Sequence, residues 1–487
     1  MTKPLQSGLL TESNMALFTD YYELTMGKAD FDSGNNAICT ENYFVRFIPQ
    51  GEYMIAAGLE QVIHYILNLR FTDADLKWLK ESSDKSDPSE RDKPMPDMSD
   101  DFLDYLRHFK FDGDVYAVPE GTPVFANEPL INVTGRSIDI QIFETYLLNM
   151  MNFQTLIATK TARIVHAARG RTCFDFGARR AHGRDAGVLA ARASFIGGAA
   201  GTSLVIAGQY FSIPYVGTTA HKFIMDRPSE LEAFRDYAKS FPHNTLLLID
   251  TYDTIQGAKN ACIVGKEMKT RGAHLRGVRL DSGDLLALSK AVREIFDEAG
   301  LHDVQIFASN DLDEFQIDKL LAAGAPIDGF GVGTRLATGA NFNPLTGEGG
   351  PSALPGVYKH VERIDGEQVT VTMKLSEDRG KSTLPSRKQL HRLYDPDGNY
   401  VKDVISLWDE NLHNSEPLLV PVILQGRLVY SLPDMAAMQA KARSELARLP
   451  KPYKGLTGAE EYPVVLSPGL KDLLEELTQK RQAEHGE

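Results

Sequence analysis

The sequence predicts an α/β protein centred on a TIM-like, irregular (β/α) barrel over residues 154–345, with an N-terminal α+β domain and a C-terminal α+β extension. Three observations carry this. Apolar stretches of strand length end repeatedly in short polar turns, at 174–177, 217–221, 250–253, 278–284, 309–311 and 331–334. Most of these turns open into segments of helical period, such as 254–270 and 312–323, and strands alternating with helices build a parallel sheet. The polar residues fall at the same end of each strand, where a barrel gathers its loops into one ligand-binding face.

The most developed turn is 278–284. An apolar run from Leu275 to Leu280 precedes it, and Leu285, Leu288, Val292 and Phe296 then recur at three- and four-residue steps up to a helix stop at Gly300. Arg279, Asp281, Ser282, Gly283 and Asp284 crowd the junction, with Ser282 or Asp284 available as N-cap.

Taken in order, Thr19 and Asp20 offer a cap for a helix carrying Tyr21, Tyr22 and Leu24 and closing near Gly34. Residues 41–48 alternate as a strand, and 58–69 form an amphipathic helix with Leu59, Val62, Ile63, Ile66 and Leu67 on one face. Residues 82–98 have no apolar period and read as a mobile surface loop, followed by a helix at 101–109. Short strands between 114 and 135 make a small β unit, and helices at 138–150 and 154–169 lead into the first barrel strand. The N-terminal domain is therefore placed at 1–153, and the C-terminal region at 346–487, part of it packing on the N-terminal domain. Within that region strands are expected at 356–362 and 369–375, a hairpin turn at 395–398, two strands around Gln425 and Gly426, and helices at 435–447 and 469–481.

A chain of 487 residues with 43% hydrophobic and 24% charged residues is expected to form two or three soluble globular domains. It has neither an apolar run of the ~20 residues a membrane span needs nor a signal-peptide pattern. Cys39, Cys173 and Cys262 are scattered, which suits a reducing cytoplasm. The net charge of −14 argues against nucleic-acid binding. Between Lys160 and Arg192, however, Lys160, Arg163, Arg169, Arg171, Arg179, Arg180, Arg184 and Arg192 face only Asp175 and Asp185, a local cationic field suited to a small polyanion.

The turns also match a family. Residues 19–26, 176–181, 217–221, 250–254, 278–284, 309–310, 331–334 and 383–385 occur as the motifs, and in the order, of the nicotinate phosphoribosyltransferases. The chain resembles this family of type II phosphoribosyltransferases from near residue 18 to near 390, and the ordered set is what makes the match specific. Two positions depart from the family's pattern: His182 stands where Gln is common, and Lys222 where Ser is usual.

The resemblance implies an enzyme of NAD salvage that makes nicotinate mononucleotide and pyrophosphate from nicotinate and phosphoribosyl pyrophosphate, with Mg²⁺ and with ATP as co-substrate. The pyridine nitrogen has a free lone pair, so the chemistry needs positioning and electrostatic stabilisation rather than a general base. By resemblance Arg279 pairs with the nicotinate carboxylate through its fork, Thr218 lies beside it, and Tyr22 stacks on the ring from the neighbouring subunit of a homodimer. Arg179 and Arg180 face pyrophosphate or ATP phosphates, Gly331, Gly333 and Thr334 receive a 5′-phosphate, and Ser309, Asn310 and Thr383 also contact substrate. Asp281 and Asp284 are assigned to ribose and Mg²⁺, with a capping role open for Asp284, and His221 is the phosphorylated residue that couples ATP hydrolysis to transfer. The same residues allow two other readings. A nicotinamide-using relative would also employ Arg279, and a metabolite-binding regulator on this fold would have lost an arginine, the histidine or the phosphate turn, all of which are present.

Overall fold

The computed structural model describes residues 10–11, 14–48, 53–82, 98–342, 349–350, 352–366, 368–373 and 383–485. Residues 83–97 of the expected surface loop at 82–98, and much of the connection after Asn341, lie outside the described residues.

The central parallel sheet runs Thr172–Asp175, Gly329–Val332, Gln305–Ala308, Leu275–Leu280, Thr245–Leu248, each strand paired in parallel with the next. Beyond Asp175 it continues through single bridges to Thr202 and from Thr202 to Tyr215. The segment after Tyr215 reaches the far edge, where the Leu248 N–H donates to Thr219 Oγ1 at 2.8 Å. The barrel is thus irregular, with a side chain standing in for strand pairing at one seam.

Each unit forms for local reasons. Leu247, Leu248, Val278, Leu280, Ile306, Ala308, Phe330 and Val332 are fully buried, as strands covered on both faces require. Asp253, Asp284 and Asp313 each cap the following helix, at Thr254–Thr270, Leu285–Glu298 and Glu314–Ala322. The barrel interior is filled by Phe174, Leu246 and Phe307, with Phe176 and Val216 packed against them. A Cβ on Gly331 would lie 2.4 Å from the Phe176 ring, and one on Gly329 2.5 Å from the Phe307 ring. Gly331 is therefore a glycine because an aromatic ring occupies its side-chain space.

A second layer is an antiparallel sheet in the order Gln368–Val371, Gly356–Asp365, Ile38–Val45, Ile131–Arg136, Asp114–Ala117, Val420–Leu424, Arg427–Leu428. Strands from both ends of the chain share it, so Gly356–Asp365, Gln368–Val371, Val420–Leu424 and Arg427–Leu428 help to complete the N-terminal sheet. The expected hairpin at 395–398 joins the antiparallel strands Lys388–Tyr394 and Tyr400–Leu407. A helix at Asp73–Glu81, not anticipated from the sequence, starts with a reciprocal capping box between Thr72 and Asp75.

Two expectations are corrected here. The helices expected at 138–150 and 154–169 are largely one: after a short turn at Ser137–Ile140, Glu144–Ala167 runs unbroken for 24 residues from the N-terminal layer to the barrel. The cationic field is also much reduced. Lys160 and Arg163 are buried against Glu314, at 2.6 and 3.2 Å, and Arg192 is buried against Glu60 and Glu120, at 2.6 and 2.8 Å. Burial without such partners would cost several kcal/mol per ion. These cations therefore fix packing and leave Arg179, Arg180 and Arg184 as the exposed ones beside the barrel mouth.

Candidate active site

Three strand ends place the polar groups. Arg279, near the end of Leu275–Leu280, directs Nη1 to Asp281 Oδ1 and to Ser309 Oγ, both at 2.8 Å, and Nη2 to the Thr219 carbonyl at 3.3 Å. Ser309 Oγ in turn donates to Asp281 Oδ1. The Arg279 Nε is buried and donates to no acceptor among the described residues. Burial pushes the guanidinium below its ordinary pKa, Asp281 and Asp250 oppose that shift, and Arg179 adds to it. An arginine does not deprotonate under such pressure. It remains an incompletely compensated cation whose buried Nε has no acceptor among the described residues.

Asp250, part of the 250–254 motif, joins the site although the sequence alone does not mark it as a site residue. Its Oδ2 accepts from the Asp281 N–H at 2.8 Å and from Ser282 Oγ at 2.7 Å, which locks the 281–282 backbone. Its Oδ1 is buried with no partner among the described residues. A carboxylate placed two residues past a buried strand was the signal that could have found it. Ser282, one of the two candidate caps, serves Asp250, and Asp284 is the cap: its Oδ1 accepts from the N–H groups of Leu286 and Ala287 at 3.0 and 3.1 Å.

His221 opens the short helix His221–Met225. Its Nδ1 lies 3.2 Å from Thr251 Oγ1, and its Nε2 lies 3.7 Å from Asp281 Oδ2, too long for a hydrogen bond. The imidazole is 43% exposed, so a dissolved anion can reach it. Arg279, Arg179, Thr218 and Thr219 line one cavity of about 800 Å³ with Phe176 and Tyr210. Gly333 precedes the helix Thr334–Ala337, and its carbonyl would lie 2.7 Å from a Cβ on Gly177, so two turns of the barrel mouth meet there. Asn310 is exposed with φ of 90°, and Arg180, His182 and Lys222 are exposed.

Tyr22 and Thr383 are not brought to this cavity within the chain. Tyr22 is 44% exposed and lines a separate depression with Glu144, Asn152 and Leu354. Thr383 is buried in a third cavity, of about 660 Å³, with Asn42, Arg46 and Lys388.

The site can hold a carboxylate at Arg279, a phosphorylated ligand along the arginine-rimmed mouth, and a cation at Asp250 and Asp281. The orphaned Asp250 Oδ1 fits such a cation, since Mg²⁺ is ordinarily held by one or two carboxylates together with substrate phosphates. The capping bonds occupy one oxygen of Asp284 and tie that residue to its helix.

Family models match three stretches of the chain: the nicotinate phosphoribosyltransferase N-terminal domain at 17–152, the nicotinate phosphoribosyltransferase family at 172–395, and its C-terminal domain at 411–474. Nicotinate phosphoribosyltransferase pncB2 of Mycobacterium tuberculosis (strain ATCC 25618 / H37Rv) is 40% identical over 476 residues, 97% of this chain and 95% of its own. Nicotinate phosphoribosyltransferase of Bacillus subtilis (strain 168) is 36% identical, covering 94% of each chain. The crystal structure of human nicotinic acid phosphoribosyltransferase superposes with a TM-score of 0.79 at 27% identity, over 94% of this chain and 99% of that one. Among the described residues no helix is long and apolar enough to cross a membrane.

Proposed function

Since the chain belongs to the nicotinate phosphoribosyltransferase family, we propose that this enzyme joins nicotinate to phosphoribosyl pyrophosphate, releases pyrophosphate, and feeds the salvage branch of NAD biosynthesis, with the transfer coupled to ATP hydrolysis through His221. The observation that carries the acceptor assignment is the half-engaged Arg279. Nη1 is committed to Asp281 and Ser309, while the buried Nε has no partner among the described residues. The Nε–Nη2 edge of a guanidinium matches two carboxylate oxygens.

In this mechanism the pyridine nitrogen forms a bond to the ribosyl anomeric carbon as the bond from that carbon to pyrophosphate breaks. Arg279 holds the acceptor in line, and Asp281, held by Asp250, Arg279 and Ser309, lies where positive charge develops on the sugar. Arg179 at the cavity rim draws the departing anion. Asp250 and Asp281 would hold Mg²⁺, which supplies charge neutralisation for the pyrophosphate when bound. His221 attacks the ATP γ-phosphate with an unprotonated ring nitrogen, ADP leaves, and water later hydrolyses the phosphoramidate. The phosphohistidine adds about two negative charges beside Asp281 and the arginines, and so alters donor affinity.

The exposed position of Tyr22, apart from the Arg279 cavity, supports a homodimer with shared sites, because a second copy could supply it to that cavity. Label incorporation from nicotinate and from nicotinamide, with phosphoribosyl pyrophosphate and Mg²⁺, with and without ATP, tests the reading. Nicotinate-dependent, ATP-stimulated product is expected. A preference for nicotinamide, or the absence of any product, would remove it.

A further inference from the structure

The first turn of the helix Tyr21–Ser33 contains a carboxylate that the reaction does not use. Glu23 is fully buried, although glutamate is among the residues least often buried. Its Oε1 accepts from Thr145 Oγ1 at 2.6 Å and from the Thr145 N–H at 3.1 Å, and its Oε2 accepts from Thr19 Oγ1. Thr145 Oγ1 also accepts from the Asp20 N–H at 3.1 Å.

Both helix starts in this contact lack a cap of their own. Asp20 precedes Tyr21–Ser33 and Phe143 precedes Glu144–Ala167, and neither contributes a side-chain capping bond. The first N–H groups of a helix need acceptors from outside it, and Glu23 supplies one to Thr145 from another helix. Residue 22 lies against the first residue of that helix: Tyr22 and Glu144 line one depression, and burial together with the Glu144 carboxylate pushes the phenol's pKa up. The start of Tyr21–Ser33 is thus latched to the start of Glu144–Ala167. Tyr22 nevertheless remains 44% exposed.

We propose that Glu23 is a positioning residue for the acceptor site: by latching Tyr21–Ser33 to the start of Glu144–Ala167 it holds the Tyr22 ring in the orientation that packs against the pyridine. This rests on the reading of Tyr22 as the ring-stacking residue.

Steady-state kinetics on Tyr22→Ala, Glu23→Ala, Glu23→Gln and the Tyr22→Ala/Glu23→Ala double variant test it, with melting temperatures on each. Glu23→Ala is expected to raise KM for nicotinate about tenfold and KM for phosphoribosyl pyrophosphate less than about twofold. Glu23→Gln keeps an acceptor for Thr145 and is expected to restore most of the loss. The double variant is expected to match Tyr22→Ala alone, because a latch has nothing left to position once the ring is gone. If Glu23→Ala lowers the melting temperature but leaves KM for nicotinate unchanged while Tyr22→Ala raises it, the inference is wrong and the Tyr22 reading stands. Additive effects in the double variant overturn it equally. An unchanged KM in Tyr22→Ala removes both together. Should Glu23→Ala fail to fold, Thr145→Val deletes one donor to the carboxylate and carries the same comparison: a rise that disappears in the Tyr22→Ala background supports the latch, and no rise refutes it.

Discussion

Replacing Arg279 with lysine keeps the charge and removes the fork, so it isolates the geometry on which the acceptor assignment depends. In the wild-type side chain Nη1 is held by Asp281 and Ser309 at 2.8 Å each, and Nη2 makes only a 3.3 Å contact with the Thr219 carbonyl. The edge left for a ligand is Nε with Nη2. A bound carboxylate would take two charge-assisted bonds there, and an ammonium in the same space can replace one of them. The loss is one such bond, about 1–3 kcal/mol, or roughly 5- to 150-fold in affinity. The substitution also releases Asp281 Oδ1 and Ser309 Oγ from Nη1, so donor binding weakens too, but by less, because Asp250 still holds the Asp281 backbone at 2.8 Å. Isothermal titration with nicotinate, nicotinamide and phosphoribosyl pyrophosphate separates the contributions. Nicotinate should lose most and nicotinamide least, since an amide carries no charge for the fork to meet. Nicotinate affinity within twofold of wild type, or an equal loss for nicotinamide, would show that Arg279 does not pair with the carboxylate.

Three further outcomes are expected. His221→Asn should abolish ATP stimulation and acid-labile phosphate incorporation while leaving slow, ATP-independent transfer at high donor concentration; continued incorporation would move the phosphorylated site elsewhere. Mixing Tyr22→Ala and Arg279→Ala proteins with demonstrated subunit exchange, assayed at nicotinate well below the KM of Tyr22→Ala so that each alone is nearly silent, should recover roughly a quarter of wild-type activity, since half the dimers are mixed and each has one intact site; no recovery would place both residues in one subunit's site. Burial pushes the Glu23 carboxyl up from 4.5 to about 7, so the folded state binds a proton that the unfolded chain has lost across that interval. Stability should therefore fall as pH rises from 4.5 to about 7, by at most ~1.4 kcal/mol per pH unit from this group. Thermal melts across this window should be flatter for Glu23→Gln, and an unchanged slope would show that Glu23 ionises normally.

The parts of the barrel that sequence could foretell are those fixed within a few residues of chain. Asp253, Asp284 and Asp313 follow buried strands and cap helices because a short side chain at that position reaches the free N–H groups one turn on. The 395–398 turn could be read for the same reason, as its Gly398 N–H closes on the Asp395 carbonyl at 2.9 Å. Arg279, Asp281 and Ser309 come together because adjacent parallel strands place their ends side by side, and that adjacency follows from βα repetition.

What escaped depends on contacts between distant segments. Lys160, Arg163 and Arg192 read as a cationic surface because charge is visible in a sequence and its partner is not. Glu314 lies 151 residues from Arg163, and Glu60 lies 132 residues from Arg192. An arginine on a helix face looks the same whether it meets water or a buried glutamate. The same limit hid Asp250, whose significance comes from the Asp281 N–H 31 positions later. It also hid Glu23, 122 positions before Thr145. Long-range polar pairs of this kind connect the N-terminal layer to the barrel along Glu144–Ala167, from Thr145 at one end to Lys160 and Arg163 at the other. The helix that sequence reasoning broke in two is therefore the element through which the position of Tyr22 is referred to the catalytic barrel.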